Sequence, residues 1–230
     1  MICYIYNVTD RYQNQGMAHM DLLDKLKTHL SLQEIPVGEY RVLKIKGMTF
    51  TIRQYEAVGL GNVSWMTASG FLGLMKMETL IINPKWRDMP LLSYDRVKAL
   101  GGDTLIVELT DTLTGPCFLE PLDEVKARYA SLPDHDLGAH WYDPLRLGQS
   151  VAKKGRAAQS AALDALTDEY LAAYAACAGQ ARSCAIREKA QKSGAYVEEL
   201  LRRGGPSTDI FKKGLGEEKT ADLFRRVLFG

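Results

Sequence analysis

The sequence predicts an α+β layered domain whose sheet is antiparallel. Strand-like segments follow one another through the first half with only short turns between them, which implies antiparallel pairing rather than parallel strands joined by helical crossovers. Helical periodicity takes over in the second half, so helices are expected to cover the sheet. The chain has 230 residues, 46% hydrophobic and 25% charged, enough for a core within one domain spanning 1–230.

The elements follow in order. Residues 20–31 place Leu22, Leu23, Leu26 and Leu30 on one stripe and predict an early amphipathic helix. "YRVLKIKGMTFTIRQYEAVG" predicts a β-pair around Gly47, "NVSWMTASG" a further strand, and "LMKMETLIIN" a longer one stopped by Pro84. "MPLLSYDRVKALGGDTLIVELTD", residues 89–111, reads as two strands joined across Gly101 and Gly102. Beyond Pro121 come "LDEVKARYASL", the loop "PDHDLGAHWYDP", and a helix over 157–180 on which Leu163, Leu166, Tyr170 and Tyr174 recur at helical spacing. Another helix runs from about Ala185 to Arg203 and ends at Gly204 and Gly205. A last one, "EEKTADLFRRVLF", puts Leu223, Phe224, Val227 and Leu228 on one side.

Composition excludes several functions. Lys plus Arg number 29 against 28 for Asp plus Glu, so the formal charge of +1 gives no global reason to expect nucleic acid or an anionic membrane. No window approaches the apolar length of a membrane span, and "MICYIYNVTDRYQNQG" lacks the pattern of a signal peptide, so a cytoplasmic protein is expected. Cys3, Cys117, Cys177 and Cys184 form no C-x-x-C pair and are expected to be reduced.

Most local motifs have plain explanations. "GLGNVS" lacks the third glycine and the βαβ setting of a dinucleotide fingerprint, and a turn explains it better. "GQSVA" is a poor nucleophile elbow because "KKGR" follows where an apolar helix is needed. Asp134, His135, Asp136, His140 and Asp143 could surround a metal, but a polar loop explains them equally well, and Gly138 argues against a helix presenting both imidazoles. His19 and His29 are expected to be solvated.

Asp95 stands apart by its register. On a strand over 90–99 it shares one face with Leu91, Ser93, Val97 and Ala99, while Leu92, Tyr94, Arg96 and Lys98 share the other. The acid therefore occupies the more apolar face. Burial there would raise its pKa toward that of a proton donor working near neutral pH. The residues alone leave a second reading open, a structural Asp satisfied by neighbouring amides or a Lys.

The strand ending at Pro84, "MPLLSYD", "LGGDTLIVELTDT" and the ending "DIFKKGLGEEKTADLFRRVLFG" together resemble the ferredoxin-dependent bilin reductases, over about residues 74–111 and 204–230. The resemblance implies a three-layer α/β/α sandwich with a central antiparallel sheet, holding biliverdin IXα between sheet and C-terminal helices. It implies a monomer without bound metal or flavin. Single electrons would come from a docked 2Fe-2S ferredoxin and protons from side chains and water, through bilin radicals. Asp95 falls at the family's proton-donating aspartate, nine residues before a small hydroxyl residue, here Thr104. The family's pigment-facing His or Asn on the preceding strand aligns with Glu78 without a gap, or with Ile81 if the turn is shortened. Glu78 shares a face with Leu80 and Ile82, so a second buried acid is expected there.

The family's second aspartate aligns with Gly205, which leaves Asp209, about one helical turn on, as its replacement or leaves the acid absent. Ser93 and Ile81 are expected against the substrate, and Arg146 against a propionate. Lys153, Lys154, Arg156, Lys212, Lys213, Arg225 and Arg226 form the basic clusters expected to receive ferredoxin. The same scaffold would suit a red chlorophyll catabolite reductase-like enzyme, or a bilin-binding protein without catalysis.

Overall fold

The computed structural model describes residues 22–70 and 73–230. Cys3, His19 and the start of the expected first helix lie outside them. In chain order the elements are α1 (Leu22–Lys27), β1 (Leu32–Ile35), β2 (Val42–Ile45), β3 (Met48–Ala57), β4 (Gly61–Gly70), β5 (Met75–Pro84), β6 (Leu91–Ala99), β7 (Gly102–Thr110), α2 (Glu120–Arg128), β8 (Val151–Arg156), α3 (Ser160–Gln180), α4 (Ile186–Arg203), α5 (Pro206–Leu215) and α6 (Glu217–Asp222). A π-helical turn over Leu223–Leu228 continues α6.

All eight strands join one antiparallel sheet in the order β1-β3-β4-β5-β6-β7-β8. β2 lies beside β1 along the same outer edge of β3. The β6–β7 hairpin turns through Leu100 and Gly101, both at positive φ, with the Leu100 side chain 90% exposed at its tip. "GLGNVS" is indeed the β3–β4 turn, and "GQSVA" runs into the edge strand β8 instead of an elbow, its Ser150 hydroxyl accepting from the Leu109 amide.

The pleat divides the core. Odd and even residues of a strand point to opposite sides, so each central strand feeds two layers. On one side Leu80, Ile82, Leu92, Tyr94, Leu105 and Val107 pack against Leu163, Leu166, Tyr170 and Tyr174 of α3. On the other, Phe50, Ile52, Met66, Ile81 and Leu91 face Val197 and Leu201 of α4, Phe211 of α5, and Phe224, Val227 and Leu228 of the C-terminal turn. This is the expected α/β/α sandwich. A helix end leaves carbonyls without intrahelical donors, and here the sheet supplies them. Gln54 Nε2 donates to the Arg226 carbonyl at 2.8 Å, Ser64 Oγ to that of Leu228 at 2.8 Å, and Asn83 Nδ2 to that of Phe229 at 2.8 Å. Buried polar residues on three strands thus fix the C-terminal turn against the sheet.

The α3 layer carries a buried ion pair. Arg96 grips Asp103 across the β6–β7 hairpin with both Nε and Nη2, and the Ser160 hydroxyl at the start of α3 donates to the same carboxylate at 2.6 Å. Burial alone would push Asp103 up, but the guanidinium and the hydroxyl outweigh it and hold the acid below its ordinary range. Removing one partner strands the other. Arg96→Met should lower the unfolding free energy by about 3–5 kcal/mol in urea denaturation, and adding Asp103→Leu should restore most of it.

Candidate functional site

The two layers are packed unequally. On the α3 side the apolar residues of β5–β7 pack against α3, with a depression left at its polar end around Glu78, Arg96 and Lys98, whereas the other side keeps a cavity of about 330 Å³ between the sheet and α4, α5 and the C-terminal turn. That volume is within the range of small-molecule sites. Its floor is the odd-numbered face of β5 and β6: Met77, Thr79 and Ile81 beside Ser93, Asp95 and Val97. Ile106 and Glu108 of β7 continue it, and Tyr196, Leu200, Phe211, Phe224 and Phe229 form much of the opposite wall.

Asp95 sits at the middle of the floor, directly across the ladder from Thr79, whose hydroxyl donates to its Oδ1 at 2.5 Å. Burial raises the carboxyl, the Thr79 hydrogen bond partly opposes this, and the negative charge of Glu108 adds to the rise, leaving a pKa of about 6. At pH 7 roughly a tenth of such carboxyls hold their proton, against about one in a thousand for an ordinary aspartate. A carboxyl in this setting can give a proton to a basic ligand atom and take another from water.

Of the residues singled out from the sequence, Ile81 and Ser93 share the cavity with Asp95. Thr104 lies on the same sheet face, across from Val97, but outside the cavity wall. Glu78 lies elsewhere. It pairs with Arg96 in the ladder, on the even-numbered face, and accepts a hydrogen bond from Trp65 Nε1 at 2.8 Å in a separate depression on the α3 side. The sheet separates it from Asp95. Asp209 is exposed on the outer side of α5, which turns Ser207 and Thr208 to the cavity instead.

Arg146 stands at the cavity's edge with its guanidinium already engaged. Its Nε donates to Glu108 at 2.7 Å, its Nη2 lies 2.8 Å from Asp143, and the group sits over the Tyr142 ring at 5.7 Å. A substrate carboxylate would compete with two resident acids for it. The basic clusters are similarly committed: Lys153 is buried and bonds Asp134 at 2.6 Å, Arg225 pairs with Glu198 at 2.7 Å, and Arg226 with Asp222 at 3.1 Å.

The loop "PDHDLGAHWYDP" contributes more than polarity. His135, Leu137, His140 and Tyr142 all border the cavity, with the His140 ring stacked on Tyr142 at 4.9 Å. Asp134, Asp136 and Asp143 serve other partners, namely Lys153, the Gly138 amide and the His140 amide. Among the described residues no group of three or more His, Cys, Asp or Glu is gathered to hold a metal ion. Likewise among the described residues, no helix is long and apolar enough to cross a membrane. The histidines were visible in sequence only as loop residues, because nothing local tells which way a loop folds back.

An antiparallel α/β/α sandwich with a mostly apolar cavity between sheet and C-terminal helices defines the class. By sequence, the chain matches no family model and no curated protein. By structure, it is similar to phytochromobilin synthase from tomato, solved in complex with biliverdin, with a TM-score of 0.73 and 14% identity over 90% of this chain and 80% of that one. The likeness establishes a shared fold.

The raised pKa of Asp95 has a consequence for stability. From its ordinary value of 3.8 up to about 6 the folded state keeps a proton that the unfolded chain releases, so stability falls as pH rises through that window and levels off above it. Asp95→Asn removes the penalty. In urea denaturation the variant should match the wild type near pH 3.5 and exceed it by about 2–3 kcal/mol at pH 8.

Proposed function

We propose that this protein is a bilin reductase. An open-chain tetrapyrrole, biliverdin IXα, lies in the cavity along the β5–β6 floor, and Asp95 protonates it as electrons arrive singly from a reduced 2Fe-2S ferredoxin. The observation that carries the reading is a carboxyl with a raised pKa on the floor of a ligand-sized cavity, in the fold that holds biliverdin in the tomato structure. Reducing one double bond takes two electrons, from two reduced ferredoxins, and two protons. Each added electron makes the pigment more basic, and the neighbouring acid then transfers its proton to a pyrrole nitrogen or lactam oxygen.

Asp95 supplies the first proton and is refilled from solvent. Glu78 and Asp209 stand outside the cavity, and the groups on its wall that we assign to passing further protons are His135, His140 and Glu108. The basic residues outside the ion pairs described above, Lys154, Arg156 and Lys213 among them, are the ones we assign to an acidic ferredoxin surface.

The position of Asp209, on α5 but outside the cavity wall, favours one rival reading, a bilin-binding protein without turnover. An anaerobic mixture of the protein, biliverdin, ferredoxin, ferredoxin reductase and NADPH separates the two, with the pigment spectrum followed over time. The reductase bleaches the biliverdin band through a radical-like absorbance to a reduced pigment, whereas binding with an unchanging spectrum would sink the enzyme reading. Asp95→Asn should bind biliverdin within a few-fold of wild type and stall after the first electron, slowing product formation by about 100-fold or more. Full turnover by that variant would remove Asp95 from the mechanism.

A further inference from the structure

The cavity wall has an electrostatic oddity. Among the described residues it includes two acids, Asp95 and Glu108, and no lysine or arginine. The nearest guanidinium described above, Arg146, is held by Glu108 and Asp143. A ligand rich in acceptor oxygens therefore depends on neutral hydroxyl, imidazole and amide donors of the wall.

Helix α5 begins on this wall. Gly204, at a φ of 83°, ends α4 and Gly205 opens α5 without any side-chain cap; Pro206 at the first position has no amide proton, so the amides of Ser207 and Thr208 lack the partner that a capping side chain would give. Gly205, Ser207 and Thr208 all border the cavity. Thr208 is only 1% exposed, and its Oγ1 is buried without a hydrogen-bond partner. A buried hydroxyl in that state is costly to the fold and unusual, since such groups are nearly always satisfied. An uncapped helix start also attracts negative charge and acceptor oxygens through its aligned dipoles. Asp209, the acid in that first turn, is exposed with its carboxylate beside Gly204 and makes no capping hydrogen bond to the helix start.

We infer that the amino end of α5, through the Thr208 hydroxyl and the neighbouring amides, receives an acceptor oxygen of the bilin bound in this cavity. This inference rests on the bilin reading. It makes Thr208 a positioning residue that holds one end of the ligand while Asp95 faces its interior. The oxygen is a lactam carbonyl or a propionate carboxylate, which share this chemistry.

The test titrates biliverdin IXα and its dimethyl ester, by absorbance, into the wild type, Thr208→Val and Thr208→Ser. Valine copies the shape and removes the hydroxyl, so it should weaken biliverdin binding about tenfold while the melting temperature holds, and serine should restore most of the affinity. An equal loss with the ester identifies the oxygen as a lactam carbonyl, and a loss confined to the free acid identifies it as a carboxylate. Unchanged affinity in Thr208→Val overturns the inference while leaving the bilin reading intact. So does a lowered melting temperature with unchanged affinity, which would make the hydroxyl structural. Failure of the wild type to bind either pigment ends the bilin reading and this inference together.

Discussion

A β-strand cannot send neighbouring residues to the same side, and this constraint organises the molecule. In β6 it sends Tyr94 and Arg96 to the packed α3 layer and Asp95 to the cavity between them in sequence. In β5 it sends Glu78 toward Trp65 and Thr79 toward Asp95. Because the ladder fixes which residues are opposite one another, the residue with access to Asp95 on the adjoining strand is Thr79, and a carboxylate one position away is on the wrong side of the sheet. The same parity places Ile81 and Ser93 beside the cavity.

The two layers divide the work. The α3 layer holds the larger apolar cluster and carries the Arg96–Asp103–Ser160 network, where a buried charge has its counter-charge and hydrogen bonds. The opposite layer leaves space, and its helices are fastened at their end by Gln54, Asn62, Ser64 and Asn83 reaching up from the sheet to the carbonyls of the last turn. A rigid floor and a pinned roof keep the cavity open. Within it, burial and the nearby Glu108 both act against ionisation of Asp95, while Thr79 supplies the one opposing hydrogen bond in the balance. Glu108 is itself held by Arg146, so that arginine helps set the field around Asp95 whether or not it touches a ligand.

Much of this was legible in the sequence because it follows from period and punctuation. The alternation around Asp95 identified its face before any partner was known, and the glycines at 101 and 204 marked a hairpin and a helix end. Two short edge strands were not legible. Leu32–Ile35 is mostly exposed, and Val151–Arg156 is half charged, so neither carries the apolar alternation that signals a strand. The last helix read as one segment, whereas α6 passes into a π-helical turn whose carbonyls depend on donors from β3, β4 and β5, far away in sequence. Glu78 was misplaced for a related reason: a strand's own alternation says which residues share a face, but not which of its two faces meets a given neighbour's. His135 and His140 became part of the site through a loop that folds back over the sheet, a tertiary event without local signature.

The account turns on Asp95 remaining a protonated acid in conditions where an exposed aspartate would be ionised. The most direct measurement is the pH titration of its side-chain carbonyl signal, by carbon-13 NMR or by infrared difference spectroscopy, with Asp95→Asn providing the assignment. A midpoint near 6 is expected, shifting downward in Glu108→Gln as one of the raising influences is removed. A midpoint near 4, unmoved by the Glu108 substitution, would contradict the account, because such an acid holds its proton only about one part in a thousand of the time at neutral pH.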